Sequence, residues 1–342
     1  MNTDWTRFLG ERGARVDAAG VSFATAAEET TLAAQDTVIV PLLHLGLIHA
    51  TGADAAGFLH NLGSNDVKNL SPARAQHNSL STPKGRMIAS FVVWRDEAGY
   101  LLALSADLQA AITKKLAMYV LRAKVTLHDA TQARVLIGLA GGRAAALLTA
   151  AGLTAPAEAL DVTPGDARVI RLDGERYILD VAAGAAEALW QTLATAGARP
   201  AGSAAWRWLD IQAGLPLVDA QTQDEFIAQM LNFELLGGVN FKKGCYPGQE
   251  IVARTQYLGK LKKRMFRLHA ASDTAPASGT DLYAPAFGEQ SCGKVVSAQP
   301  APTGGFDLLA VAQIAAFEGG ELHLAAPDGA RLTLATLPYV VD

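Results

Sequence analysis

Apolar positions recur along this chain with two spacings, and each change of spacing marks where strand gives way to helix. From residue 38 to 50 the apolar run is nearly continuous and broken by Pro41, which predicts a strand starting after the proline. Thr51-Gly52-Ala53-Asp54 then has capping-box spacing ahead of Phe58, Leu59 and Leu62, so a short helix with Thr51 at its N-cap is expected. A polar stretch over residues 63–75 follows, and Thr82-Pro83-Lys84-Gly85 reads as a turn. Residues 86–94 and 100–105 read as strands joined through Asp96-Glu97-Ala98-Gly99. Leu108, Ile112, Leu116 and Val120 form one helical stripe, and residues 124–128 return as a strand. The predicted order is β-α-β-β-α-β.

The next stretch repeats that order. Strand 134–139, helix 143–151, a hairpin of 168–172 with 176–181 turning at Asp173-Gly174, helix 185–196 closed by Gly197, and strand 206–211 are expected in turn. Two ferredoxin-like units in tandem are the simplest architecture for residues 38–212. Residues 224–236 read as helix or irregular segment. Beyond Arg254, short β-compatible runs at 265–269, 293–298, 306–314, 321–324 and 331–334 are separated by turn residues and argue for a small all-β barrel or sandwich. The fold class is α+β, divided into an N-terminal extension (1–37) with one or two short helices and a turn at Asp17-Ala18-Ala19-Gly20, α+β domains at 38–130 and 131–255, and a β domain at 256–342.

Composition narrows the function classes. The chain has 342 residues, 50% of them apolar, enough for two or three cores. A net charge of −4 with 18% charged residues does not imply a broad cationic surface for nucleic acid or anionic lipid, so neither direct nucleic-acid binding nor membrane association is expected. Two cysteines exclude a disulfide framework and fit a reducing compartment, with the cytoplasm as expected location. They also fall short of the roughly four thiolates of a resident iron–sulfur cluster, which leaves a bridging, shared or transient cluster. No basic-then-apolar leader and no run of membrane-spanning length occurs. Ser-His-Asp order, HExxH, CxxC and P-loop patterns are absent, and Gly141-Gly142 is too short for a dinucleotide fingerprint. No pair among the seven histidines has metal-ligand spacing; His44, His49 and His60 lie in apolar surroundings and are expected to pack.

The densest chemistry lies in Phe241-Lys242-Lys243-Gly244-Cys245-Tyr246-Pro247-Gly248-Gln249-Glu250. Gly244 and Gly248 permit φ > 0 or a close approach, and Pro247 restricts Tyr246. The run predicts a stiff turn displaying a thiol beside two lysines, which favour thiolate if geometry allows. The same residues suit a tight turn with an inert buried cysteine. Trp206 and Trp208 would share one face of a strand, either as core or as an aromatic platform for a flat heterocycle. Lys260, Lys262, Lys263, Arg264 and Arg267 are the densest basic cluster, a solvated strand face or a dock for a polyanionic tail such as polyglutamate. Cys292 reads as structural.

Residues 243–250, Lys-Gly-Cys-Tyr-Pro-Gly-Gln-Glu, resemble the KGC[FY]xGQE signature of the YgfZ-like proteins, folate-binding relatives of the glycine-cleavage T-protein (aminomethyltransferase). The resemblance runs from Trp206 to Arg264 through Gln212-Ala213-Gly214-Leu215-Pro216 and, more loosely, over residues 38–95, where Thr51-Gly52-Ala53-Asp54 with Phe58-Leu59 is similar to the family's TGxDxxxFL. It implies a three-lobed ring of two α+β domains and a C-terminal β-barrel around a central folate channel. It further implies binding of tetrahydrofolate or a one-carbon derivative, and a role in iron–sulfur cluster assembly or repair with consequences for tRNA modification. Assembly factors or client enzymes would be its partners. Cys245 would be the functional thiol and Lys243 would keep it anionic. Tyr246, Gln249 and Glu250 would shape the surroundings, with Trp206 lining the folate pocket. Two departures argue against the competing activity, folate-dependent aminomethyl transfer. Where T-proteins carry an acid pair, this chain has Arg86-Met87-Ile88-Ala89-Ser90; where they have Glu-Ala-Gly against the pterin, it has Gln212-Ala213-Gly214. A neutral amide still hydrogen-bonds a pterin edge but forms no charge-assisted pair. A scaffold with no small ligand is the third reading.

Overall fold

A computed structural model describes residues 2–18, 20–259, 261–317 and 321–341. The N-terminal segment folds as α1 (Thr3–Gly10), a hairpin of β1 (Arg15–Asp17) and β2 (Gly20–Ser22), and α2 (Ala26–Gln35). Two helices are present where one or two were expected, and the hairpin between them was not expected. Its turn is the Asp17-to-Gly20 segment, of which Ala19 lies outside the described residues. Asn2 caps α1 by accepting from the Trp5 N–H at 2.9 Å, and Thr25 with Glu28 forms a capping box on α2.

The expected first strand is two: β3 (Val38–Pro41) and β4 (Leu45–Thr51). Pro41 has no N–H to extend a ladder, so β3 ends there, and Leu45 N–H closes a turn onto Leu42 O before β4 begins. There follow α3 (Ala55–Leu62), β5 (Gln76–Ser81), β6 (Met87–Arg95), β7 (Gly99–Ser105), α4 (Ala106–Ala117) and β8 (Thr126–Asp129). Helix α3 starts four residues after Thr51, with Asp54 directly before it. The Phe58 N–H donates to Asp54 O at 2.9 Å, so Asp54 and not the expected Thr51 takes the N-cap place, and the Asp54 carboxylate accepts from the Lys124 N–H at 2.7 Å. The sheet runs β5-β6-β7-β4-β8, the expected set plus β5. Strand β5, Gln-His-Asn-Ser-Leu-Ser, was invisible to hydropathy because its buried positions are mostly polar.

The second repeat contains β9 (Arg134–Ala140), α5 (Ala144–Ala150), β10 (Val162–Thr163), β11 (Ala167–Asp173), β12 (Arg176–Ala182), α6 (Ala183–Thr195), β13 (Arg199–Pro200) and α7 (Ser203–Gln212). The hairpin of β11 and β12 forms where expected. The strand expected at 206–211 does not: those residues are in α7, where Ala205, Trp206, Trp208 and Ile211 are buried at helical intervals. Alternation of large apolar and polar side chains there imitates period two while satisfying a helix. The sheet order is β10-β11-β12-β9-β3-β13, so β3 pairs antiparallel with β9 and takes the place next to it.

By contact density the chain divides into two units, residues 1–59, 67–76 and 92–206, and residues 60–66, 77–91 and 207–342. The first packs Trp5 and Phe8 of α1 against Trp190 of α6 and the β9–β12 strands; Trp5 and Trp190 meet edge to face at 5.7 Å. It also holds a half-buried acid: the Asp96 carboxylate accepts from His49 Nε2 at 3.1 Å and from the Ala98 and Gly99 N–H groups at 2.9 and 2.8 Å. Burial alone would raise this carboxyl, but the hydrogen bonds and the imidazole hold it well below the usual carboxylate range. A depressed acid stabilises the fold above its unfolded value and loses that contribution as pH falls. Stability should therefore decline progressively below about pH 4, and Asp96→Asn should flatten that decline in acid titrations followed by circular dichroism.

The second unit contains a 3₁₀ turn at Ala228–Leu231, α8 (Gln249–Tyr257) and six strands: β14 (Lys263–Ala270), β15 (Asp281–Tyr283), β16 (Gly293–Pro300), β17 (Phe306–Gln313), β18 (Leu322–Leu324) and β19 (Arg331–Ala335). They close into a barrel, β14-β17-β16-β15-β18-β19, which settles the choice between barrel and sandwich. Five strands were expected and β15 was not. Alternate residues, Leu268 and Ala270 on β14, Leu308, Ala310 and Ala312 on β17, fill the interior with Cys292.

Candidate functional site

The signature turn lies in the second unit, and the Gly237-Gly238 segment that leads into it is braced by polar groups that hydropathy gave no reason to select. Ser64 Oγ donates to Gly238 O at 2.7 Å, and Asn65 Nδ2 donates to Gly237 O at 2.7 Å and to His77 O at 2.9 Å. Asn78 Oδ1 in turn accepts from the Asn65 and Ser79 N–H groups at 3.2 and 2.8 Å. Buried hydroxyl and amide groups linked in this way fix a loop in one geometry, and this is why β5 is polar, although Asn78 Nδ2 has no partner among the described residues.

Lys243 is the second anchor. Its side chain is buried, and its ammonium donates to His60 O and Gly63 O at the end of α3 while standing 4.8 Å from the Tyr246 ring centre. The last carbonyls of a helix lack intrahelical donors and carry partial negative charge, so a cation there is favoured. The ammonium assigned from sequence to the thiol is thus committed to α3. Tyr246 is buried behind it, and burial pushes its phenol up to about 12.

Two turns meet beneath the signature. Gly248 has φ +83° and precedes α8; a Cβ on it would lie 2.5 Å from Thr82 O and 2.7 Å from Gly85 Cα. Gly85 itself has φ +75° and closes the expected Thr82-to-Gly85 turn with a 2.8 Å bond. Gly244, by contrast, faces open space. Cys245 is exposed between these anchors, whereas Cys292 is enclosed in the barrel, where burial pushes its thiol up. Alkylation followed by peptide mapping is expected to label Cys245 first, with Cys292 protected until the barrel unfolds.

Gln249 and Glu250 open α8. The Gln249 N–H donates to Tyr246 O at 3.2 Å, and the exposed Glu250 carboxylate occupies the first turn, where negative charge is favoured. Gln212, at the end of α7, is held at both ends: its Nε2 donates to Asp307 at 3.0 Å and its Oε1 accepts from Arg267 Nη1 at 3.0 Å. Asp307 also accepts from Trp208 Nε1 at 2.9 Å and pairs with His269 at 3.0 Å. These partners are distant in sequence and were missed.

Trp206 is a residue of the first unit. Its ring fills the space that a Cβ on Gly138 would need, at 2.4 Å, and lies under the Arg176 guanidinium at 5.5 Å. At 2% exposure it is core, and truncating it would open a cavity, so Trp206→Ala does not isolate ligand contact from stability. Two of the four described residues of the basic cluster are engaged within the chain. Arg264 pairs with Glu234, whose carboxyl burial raises despite the guanidinium, and Arg267 holds Gln212; Lys260 lies outside the described residues. His49 and His60 pair with Asp96 and Asp66 at 3.1 and 3.0 Å, and His44 is buried. Among the described residues no group of three or more His, Cys, Asp or Glu is arranged to hold a metal, and no helix is long and apolar enough to cross a membrane.

This combination of mixed sheets with a closed C-terminal barrel is a T-protein fold. It superposes on the glycine cleavage system aminomethyltransferase T of Bartonella henselae with a TM-score of 0.82, covering 99% of this chain and 98% of that one at 20% identity. Residues 11–243 match the GCVT N-terminal domain family. The tRNA-modifying protein YgfZ of Edwardsiella ictaluri is 31% identical over 303 residues, 86% of this chain and 90% of that protein. That of Klebsiella pneumoniae is 32% identical over 235 residues, 68% of this chain and 71% of that protein. The chain belongs to the GCVT-domain family and, within it, to the YgfZ-like proteins.

Proposed function

We propose that this chain is a cytoplasmic tetrahydrofolate-binding protein that supports tRNA modification by assisting iron–sulfur cluster assembly or repair, with Cys245 as its functional thiol. The observation that carries the reading is the contrast within the signature. An exposed cysteine stands on a turn fixed on both sides by a buried lysine clamp and an interlocked pair of glycines. A turn that served only to join elements would need no such fixing. The relatives' names supply tRNA modification, and the GCVT domain supplies the folate.

Gln249 and Glu250 are suited to hold a pterin, because an amide and a carboxylate together match a heterocycle edge that alternates donors and acceptors. Aminomethyl transfer fits less well. Residues 86–90 offer no carboxylate, and Arg86 is spent on the Glu225 carbonyl and Ser90 on the Val218 N–H, at 2.9 Å for the latter. Calorimetry on the full chain should show saturable binding of tetrahydrofolate, preserved in Cys245→Ser. Incubation with a methylene donor should give no aminomethyl product. Failure to bind any reduced folate would leave a protein-docking scaffold instead.

A further inference from the structure

The turn between α4 and β8, in the first unit, exposes a group of side chains that the folate reading does not use. Met118 is 64% exposed, Tyr119 49% and Leu121 89%, three large apolar residues within four positions. Leu121 also has φ +43°, a left-handed backbone conformation that a residue with a Cβ adopts only under strain. The segment is nonetheless fixed. The Tyr119 N–H donates to Leu116 O at 2.9 Å, the Ala123 N–H to Val120 O at 2.7 Å and the Lys124 N–H to the Asp54 carboxylate at 2.7 Å. Apolar side chains held in water on a strained, hydrogen-bonded turn gain nothing within the chain, so the contact that favours them lies outside it.

The charge around this group has one sign. Lys114, Lys115, Arg122 and Lys124 flank the three apolar residues, and from residue 108 to 128 the sequence has no Asp or Glu. Lys114, Arg122 and Lys124 are exposed, and among the described residues none of the four cations forms an ion pair. Asp54 is the acid bonded to the segment, through the Lys124 N–H, while Asp107 and Asp129 lie at its two ends. The chain's net charge of −4 conceals this local excess.

We propose that this turn is a peripheral membrane-docking element whose occupant is a bilayer surface rich in anionic phospholipid. Met118, Tyr119 and Leu121 enter the interfacial region, and the four cations face the headgroup phosphates. Other occupants fit less well. A second copy of the chain would set like charges against each other. A nucleic acid would neutralise the cations and leave Met118 and Leu121 in water. These two side chains stand clear of the surface instead of lining a groove, which suits a deformable phase over a folded partner.

Sedimentation of the full chain with vesicles tests the assignment. Binding to vesicles of mixed phosphatidylglycerol and phosphatidylcholine is expected to be at least about tenfold stronger than to phosphatidylcholine alone, and to weaken as salt is raised. Leu121→Ser and Arg122→Glu should each lower binding to the anionic vesicles by at least about tenfold. Both positions are exposed, so melting temperature and tetrahydrofolate binding should be unchanged in either variant. A loss in Arg122→Glu with none in Leu121→Ser would mean adsorption by charge alone and would overturn the docking role given to the apolar residues. No binding to anionic vesicles at low salt, or full binding by both variants, would overturn the assignment outright and leave the turn to an acidic protein partner.

Discussion

Gly248→Val is expected to destabilise the second unit by about 3–5 kcal/mol, seen as a fall of roughly 8–15 °C in its melting temperature. Two costs combine. A β-branched residue at φ +83° is strained wherever it stands, and here its Cβ would also enter the space of Thr82 O and Gly85 Cα. Neither obstacle is a flexible side-chain end that can swing aside, so one of the two turns must move. Gly244→Ala is the control: it is four residues away in the same signature, has nothing within 4 Å of an added Cβ, and should shift the melting temperature little. Equal losses in the two variants would show that the turns are not interlocked.

That contrast also shows what was legible before the structure. Both glycines looked alike in sequence, because a glycine-rich run states that freedom is available and not where it is used. The positive φ belongs to Gly248 alone of the two, and the reason, Gly85, is over 160 residues earlier. Elements whose local chemistry agrees with their burial were readable. The β11–β12 hairpin turning at Asp173-Gly174 and the stripe of α4 on Leu108, Ile112 and Leu116 are where spacing placed them, although α4 ends at Ala117 and leaves out the expected Val120. Elements whose reason is tertiary were not. Strand β5 is polar because Asn78 and Ser79 brace Ser64 and Asn65, and α7 was read as a strand because Trp206-Arg207-Trp208 alternates over a stretch too short to separate period two from a helical interval.

The candidate site divides the same way. The eight-residue signature delivered Lys243, Cys245, Tyr246, Gln249 and Glu250 as one turn; the first three lie on the turn, and Gln249 and Glu250 begin α8. Roles were harder to read. Adjacency suggested that Lys243 serves the thiol, but a side chain with four methylenes can reach a helix end, and it does so. Trp206 was open between core and aromatic platform, and its 2% exposure and packing against Gly138 give it a place in the core.

The remaining large effect is functional. Cys245→Ser should leave melting temperature and folate affinity unchanged, because the side chain is exposed and no element depends on it. A hydroxyl occupies similar space but is neither a comparable nucleophile nor a soft ligand, so the function should be lost. The direct measurement is complementation of a bacterial strain lacking its own YgfZ, read as the level of a tRNA nucleoside made by an iron–sulfur enzyme. The wild-type chain is expected to restore that level, and Cys245→Ser, at equal protein abundance, to leave it where an empty vector does. Full restoration by the serine variant would contradict the role given to Cys245 and leave a folate-binding scaffold without a functional thiol.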